Sequence, residues 1–214
     1  MRIDFVHSIN EVSAADWNQL WSTDYPFVRH EFLLALEESD CTTAHTGWQA
    51  FHCLAWDGAR LLGALPLYLK THSYVEYVFD WSWADAYHQA GYDYYPKLLN
   101  AIPFTPATGA RWALSADLSA ADKQHLVRHL FAAVAQRMEQ DSLSGLHCLF
   151  PSSADAAHLQ PLPNLMRRMD CQFHWFNQSY TSFDDFLQTF SSRKRKNLSK
   201  ERTRVQEQGF KVQM

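Results

Sequence analysis

WQAFHCLAWDGARLLGALPLYL, residues 48–69, is the stretch that decides the fold. Two apolar runs meet at Asp57-Gly58, and Asp-Gly is a strong two-residue hairpin signal because a type I′ turn needs positive φ at both central positions. With Asp57-Gly58 as the two-residue connection, the sequence predicts antiparallel strands over Trp48–Trp56 and Ala59–Leu69. Pro66 sits inside the second strand, and its missing N–H predicts an edge or a bulge there. Bulges often border active sites.

Moving toward the N-terminus, residues 2–9 alternate like a strand. Ser13, with Asp16 three residues on, predicts a helix burying Trp17, Leu20 and Trp21. A second helix after Tyr25-Pro26-Phe27 carries Phe32, Leu33 and Leu36 on one stripe. On the other side of the hairpin, Ser119 caps a helix with an apolar stripe of Val127, Leu130, Phe131, Val134 and Met138. A buried strand follows at Leu146–Phe150, then a helix over about residues 152–169 and a strand over Asp170–Asn177. Within that strand His174, between Phe173 and Trp175, reads as a core histidine. Ser182 caps a helix bearing Phe183, Phe186, Leu187 and Phe190. Arg193–Gln208 resumes as a polar helix ended by Gly209. Phe210–Met214 then opens a strand with nothing after it. A strand needs a partner for its backbone, so the chain reads as truncated.

These elements predict an α/β fold with a mixed, mainly antiparallel sheet flanked by helices over residues 1–178. Residues 181–214 then form a basic helical start of a second domain. With 47% hydrophobic and 20% charged residues in 214, the chain fits a soluble globular class. No apolar run approaches the roughly 18 residues that would suggest a bilayer span, and the N-terminus has no signal-peptide core. Cys41, Cys53, Cys148 and Cys171 lack C-x-x-C spacing, and the eleven histidines lack metal-ligand spacing. The expectation is a reduced, cytoplasmic protein with neither zinc nor disulfides. The net charge of −4 conceals an asymmetry: residues 193–204 hold seven basic side chains against Glu201, or +6, which leaves −10 elsewhere.

Between Tyr68 and Tyr95 ten aromatics fall in 28 residues, interleaved with Lys70, His72, Glu76, Asp80, Asp85 and His88. A core does not need hydroxyls, indole N–H groups and carboxylates mixed at every step, so this segment reads as a groove wall. If the groove takes an amine, Asp80 or Asp85 accepts its proton or pairs with its ammonium, and Trp81, Trp83 and Tyr87 supply a stacking wall. The alternative is that Asp85 caps a helix from Ala86 while the tryptophans fill core. His72, beside Lys70 at the end of the hairpin strand, is an acid–base candidate. Tyr94, Tyr95, Lys97 and the loop containing Phe104 and Thr105 form a second candidate surface, with Arg111 as an anion contact or a structural ion-pair partner. Arg193, Lys194, Arg195, Lys196 and Lys200 suit phosphates, or form a solvated helix face.

The order strand, helix, helix, Asp-Gly hairpin, then strand–helix–strand–helix resembles the GNAT acyltransferase fold. PFVRHEFLLALEES (26–39), GALPLYLKTHSYVEYVFDWSWADAYHQAG (63–91), YYPKLLNAIPFTPATGAR (94–111), QFHWFN (172–177) and FDDFLQTFSSRKRKNLSKER (183–202) look like the FemAB-like, GNAT-type family of proteobacterial peptidoglycan biosynthesis or recognition proteins. The resemblance implies acyl or aminoacyl transfer to an amine, with a cell-wall precursor as acceptor. It also implies acyl-CoA or aminoacyl-tRNA as donor in a full-length parent, with tRNA a possible partner. Family members are nearly twice this long, so a missing C-terminal domain or a homo-oligomer partner is expected. The glycine loop that holds a CoA pyrophosphate has no counterpart: no two of the seven glycines stand in G-x-G spacing. No cofactor is therefore expected on this chain itself. The readings left open are an acyltransferase half, a non-catalytic module binding a cell-wall precursor or tRNA, and a folding or dimerisation unit.

Overall fold

The computed structural model describes residues 1–21, 25–74, 76, 78, 80–169, 171 and 173–209. They divide into two units, residues 1–166 and residues 167–214.

In the first unit the hairpin forms, but its two turn residues are Gly58 and Ala59 rather than Asp57 and Gly58: Asp57 pairs with Arg60, and of these residues Gly58 alone takes a positive φ, 57°. Each of its strands is split, however. The first becomes β2 (Gln49–Ala50) and β3 (His52–Asp57); the second becomes β4 (Arg60–Leu65) and β5 (Tyr68–Lys70). Pro66 is the cause: without an N–H it cannot continue the ladder, and the Phe51 N–H reaches across to the Leu67 carbonyl at 2.8 Å. The halves diverge into two four-stranded sheets. With β1 (Arg2–Val6), β6 (Lys97–Asn100), β7 (Ala113–Leu114) and β8 (Leu146–Cys148), the orders are β1-β3-β4-β7 and β2-β5-β6-β8. All pairings are antiparallel except β6 with β8. This is the mixed, mainly antiparallel α/β class expected.

Asn100 clasps the split. Its Nδ2 donates to the carbonyls of Pro66 (2.6 Å) and Arg111 (2.9 Å), and its Oδ1 accepts from Cys148 Sγ at 3.1 Å. One buried amide thus serves the carbonyls of Pro66 and Arg111 at the break.

Both faces of the first sheet are covered, which explains why β3 and β4 read as continuous apolar runs rather than alternating ones. On one side α1 (Ala14–Leu20) and α2 (His30–Glu38) bring Trp17, Leu20, Trp21 and Leu33 against Leu54, Leu61 and Ala64. Ser13 caps α1 through the Asp16 N–H. On the other side α4 (Ala120–Gln140), capped by Ser119, buries Leu126, Val127, Leu130, Phe131 and Val134 on Cys53, Ala55, Leu65 and Leu98. Five such side chains contribute on the order of 10 kcal/mol. The second sheet shares that face with α4. Its opposite face carries Trp48, Ala50, Tyr68 and Leu99, followed by a polar cluster.

Several expectations are corrected. Helix α3 runs Trp81–Gln89, so Asp85 is an exposed mid-helix residue rather than the cap of a helix from Ala86. The helix expected over 152–169 is α5, Ser153–Leu159. In the second unit, α6 (Phe183–Gln188) and α7 (Ser192–Glu207) form as expected. The strand over Asp170–Asn177 does not: Cys171 and residues 173–177 are exposed and carry no ladder pairing among the described residues. Alternation alone makes no strand when no neighbouring backbone accepts the ladder. His174 is accordingly exposed, not core. The strand expected at Phe210–Met214 lies outside the described residues.

Candidate functional site

The register of the second sheet sets Lys70 of β5 directly opposite Lys97 of β6. Both are fully buried. Two like charges facing each other across a ladder oppose folding unless something lies between them. The segment between β5 and α3 supplies it. Lys97 Nζ donates to Asp80 Oδ2 at 2.6 Å, Glu76 Oε2 at 3.0 Å and Ser73 Oγ at 3.1 Å. Glu76 Oε1 lies 3.9 Å from Lys70 Nζ, which also donates to the Tyr74 carbonyl at 3.4 Å and sits over the Trp48 ring, 4.0 Å from its centroid. Two cations and two carboxylates thus balance in a space closed to water.

Tyrosines and a histidine complete the cluster. Tyr94 donates its hydroxyl to Asp80 Oδ2 at 2.7 Å, and Tyr95 donates to Ser73 Oγ at 2.5 Å. His147, on β8, places Nε2 3.4 Å from the Tyr94 hydroxyl and Nδ1 3.4 Å from Lys97 Nζ. Its side chain keeps 25% of its surface exposed, while those of Asp80 and Glu76 keep none, so His147 links the cluster to solvent. Among the described residues, Glu76 Oε1 and Asp80 Oδ1 are buried without a hydrogen bond. Such atoms are costly, and they mark sites where a polar ligand would be stabilised.

The titration behaviour follows from this geometry. Burial pushes the Asp80 carboxyl up, but hydrogen bonds from Lys97, Ser73 and Tyr94 outweigh it and hold Asp80 below the ordinary carboxylate range. Glu76 goes the other way: burial raises it, against the attraction of Lys97 and Lys70. Burial brings Lys70 down to about 8, partly opposed by Glu76. Burial and the bond to Asp80 raise the Tyr94 hydroxyl. At neutral pH, Asp80 is therefore the fixed negative charge of the site and Tyr94 a fixed donor.

Oxygen and nitrogen atoms of Glu76, Asp80 and His147 lie within 4.8 Å of one another, a set that suits a cation. The Lys97 ammonium already stands among them, so a metal ion would bind only by displacing it.

Of the residues singled out from sequence, the fold brings together Lys70, Asp80, Tyr94, Tyr95 and Lys97. Tyr87 packs on the edge of Tyr94, 5.1 Å between centroids. Trp81 and Trp83 lie exposed on α3 with Asp85, and Trp81 meets Tyr74 at 5.3 Å. His72 is half-buried. Its ring is 4.9 Å from Tyr74, and burial followed by Lys70 lowers its pKa. Phe104, at φ 57°, packs 5.3 Å from Trp48, and Thr105 Oγ1 donates to the Pro103 carbonyl. The buried Arg111 guanidinium donates to the carbonyls of Leu149, Ala110 and Ala107, and its backbone N–H donates to Asp155. Arg111 thereby shapes the 103–109 loop from within. In the second unit Arg193, Lys194, Lys196 and Lys200 are exposed, and Arg195 is half-buried with a bond to Gln188.

Glu76, Ser73 and His147 were not picked out as site residues by the sequence, whereas Lys97 was, beside Tyr94 and Tyr95. Glu76 stands among the polar residues of the aromatic segment, and His147 interrupts the apolar run LHCLF. Buried polar residues in strands are paired, and the pairing is what a sequence does not show.

The site is thus a buried ionic cluster beside exposed aromatics, on the split hairpin of a mixed α/β fold. The family model described as peptidoglycan biosynthesis/recognition matches residues 8–214, and the chain belongs to that FemAB-like family. The chain also aligns with the crystal structure of a probable acetyltransferase at a TM-score of 0.44 and 14% identity, over 85% of this chain and 100% of that one. A comparison with curated proteins gives no match. Among the described residues no helix is long and apolar enough to cross a membrane.

Proposed function

We propose that this protein acts in acyl or aminoacyl transfer to an amine of a peptidoglycan precursor, and that the Lys97 cluster handles the acceptor. One observation carries the reading. A partly exposed imidazole, His147, touches a buried Tyr94–Asp80 pair whose charge is fixed by Lys97. An amine attacking an acyl carbonyl must lose a proton. His147 is the partly exposed group that takes it: Asp80 Oδ2, 3.9 Å from Nδ1, offsets the Lys97 ammonium 3.4 Å from the same nitrogen. The proton leaves on the thiol or tRNA hydroxyl released as the donor's thioester or ester bond breaks. Trp81 and Trp83 form an apolar approach on α3, and Asp85 offers an ammonium contact there. His72 remains a second candidate base on the same segment.

The test is transfer to a synthetic muropeptide bearing a free amine, with acyl-CoA and aminoacyl-tRNA as donors in separate reactions and mass spectrometry as readout. Product formation that falls at least about 100-fold in His147→Gln, in line with loss of a general base, supports the reading. Product formation unchanged in His147→Gln refutes the assigned base.

The recognition reading is favoured by a separate feature, the absence of any closely spaced glycine pair in the sequence to cradle a donor pyrophosphate. Saturable muropeptide binding with no product from either donor would select it.

A further inference from the structure

The second unit carries a feature that the acceptor site does not use. Phe173, Trp175 and Phe176 are 98%, 64% and 74% exposed, and Met169 is 80% exposed. Aromatics at this exposure are unusual on a surface facing only water. They are not isolated. The Trp175 ring lies 6.2 Å from Tyr180 and 6.2 Å from Phe186, Phe186 lies 5.9 Å from Phe183, and the Arg202 guanidinium of α7 sits 4.3 Å over Phe183. Trp175, Tyr180, Phe183 and Phe186 line one shallow depression. A second depression, which shares Phe183, is lined by Arg202 and Thr203. The aromatic string thus meets the basic helix at Arg202.

Helix stability does not explain the charge on α7. Arg193, Lys194 and Arg195 crowd its first turn, with Lys196 next, where no acid is present and where the helix dipole disfavours cations. Seven cations against Glu201 between residues 193 and 204, in a chain of net charge −4, call for a polyanionic counterpart. For nucleic acid, aromatics interleaved with the cations would stack on bases. Here the aromatics lie on a separate segment beside the helix. Exposed Phe and Trp next to Lys and Arg are instead the composition of a surface that rests at the headgroup level of a bilayer.

We propose that the second unit docks on an anionic lipid bilayer, with Phe173, Trp175 and Phe176 entering the interface and α7 meeting the headgroups. The surface lies on the membrane and does not cross it. This inference is independent of the acceptor site.

The test is flotation of the full chain with vesicles of phosphatidylcholine, with and without phosphatidylglycerol. Binding should require the anionic lipid and weaken with salt. Each cation near such a surface contributes about fivefold, so Arg193→Ala, Lys194→Ala and Lys196→Ala together should weaken binding roughly 100-fold. Phe173→Ser with Phe176→Ser should weaken it further at unchanged circular dichroism. Brominated acyl chains should quench tryptophan fluorescence, and Trp175→Phe should remove most of that quenching. Failure to float, equal binding to neutral vesicles, indifference to the triple substitution, or quenching unchanged in Trp175→Phe would overturn the proposal. So would a shift with tRNA in the absence of any vesicle binding.

Discussion

Replacing Lys97 with Met tests the central electrostatic argument most directly. The ammonium is the nearest cation to two carboxylates with no solvent-exposed surface, at 2.6 Å from Asp80 and 3.0 Å from Glu76. Met fills a similar volume, so the packing cost is small and the effect is that of two charges left buried. Removing one partner of a buried ion pair costs about 3–5 kcal/mol. At about 2–4 °C per kcal/mol for a protein of this size, Tm should fall by roughly 10 °C. The pH dependence gives a second readout. In the native protein, Asp80 has a lowered pKa, so its contribution is present above the unfolded carboxylate pKa and is lost as pH falls through the folded value. In Lys97→Met the carboxylates become easier to protonate, so their penalty is relieved by acid. The two stability curves should therefore converge between pH 7.5 and 4.5, measured by urea unfolding with circular dichroism. Adding Glu76→Gln and Asp80→Asn to Lys97→Met should restore at least half of the loss, because the uncompensated charges are gone. A Lys97→Met protein within about 1 kcal/mol of native at pH 7.5, or a gap that does not narrow in acid, would refute the reasoning.

Further substitutions probe other parts of the frame. Lys70 titrates near 8 in the folded protein and near its ordinary value when unfolded. Between pH 8 and 9.5 the unfolded chain therefore binds more protons, and stability should rise by up to about 1 kcal/mol per pH unit, a slope that Lys70→Met should abolish. Asn100→Ala strands the Pro66 and Arg111 carbonyls and should cost about 3 kcal/mol in urea unfolding. Gly47→Ala meets both a φ of 70° and a Cβ position 2.4 Å from His72 Nε2; a loss of about 2 kcal/mol or more is expected, with native stability as the refuting result. Tyr94→Phe leaves Asp80 short of a donor and should raise its pKa, visible as an upward shift of the acid-unfolding midpoint.

The hairpin, the stripe of α4 and the caps at Ser13 and Ser119 were legible because each is a local pattern: a turn pair, a 3.6-residue period, a side chain reaching a backbone N–H within one turn. Pro66 announced an irregularity for the same reason, since a missing donor is a property of the residue itself. What it led to, two sheets sharing one hairpin with Asn100 clasping the break, depended on a residue 34 positions away. The site divides the same way. The aromatic-polar composition of residues 68–95 marked the right segment, and Asp80, Tyr94 and Tyr95 lie in it. Asp80 and Asp85, five residues apart in the same acidic-aromatic run, looked equivalent. One became the buried partner of Lys97 and the other an exposed position on α3, because only the register of β5 on β6 creates two facing lysines that a carboxylate must neutralise. The strand expected at Asp170–Asn177 had the right alternation, but no ladder forms there among the described residues. The sequence by itself determined which segments prefer helix, strand or turn, through interactions within a few residues. Tertiary structure decided which polar groups are sealed from water and which charges balance them, because burial and Coulomb attraction act between residues that only the fold makes neighbours.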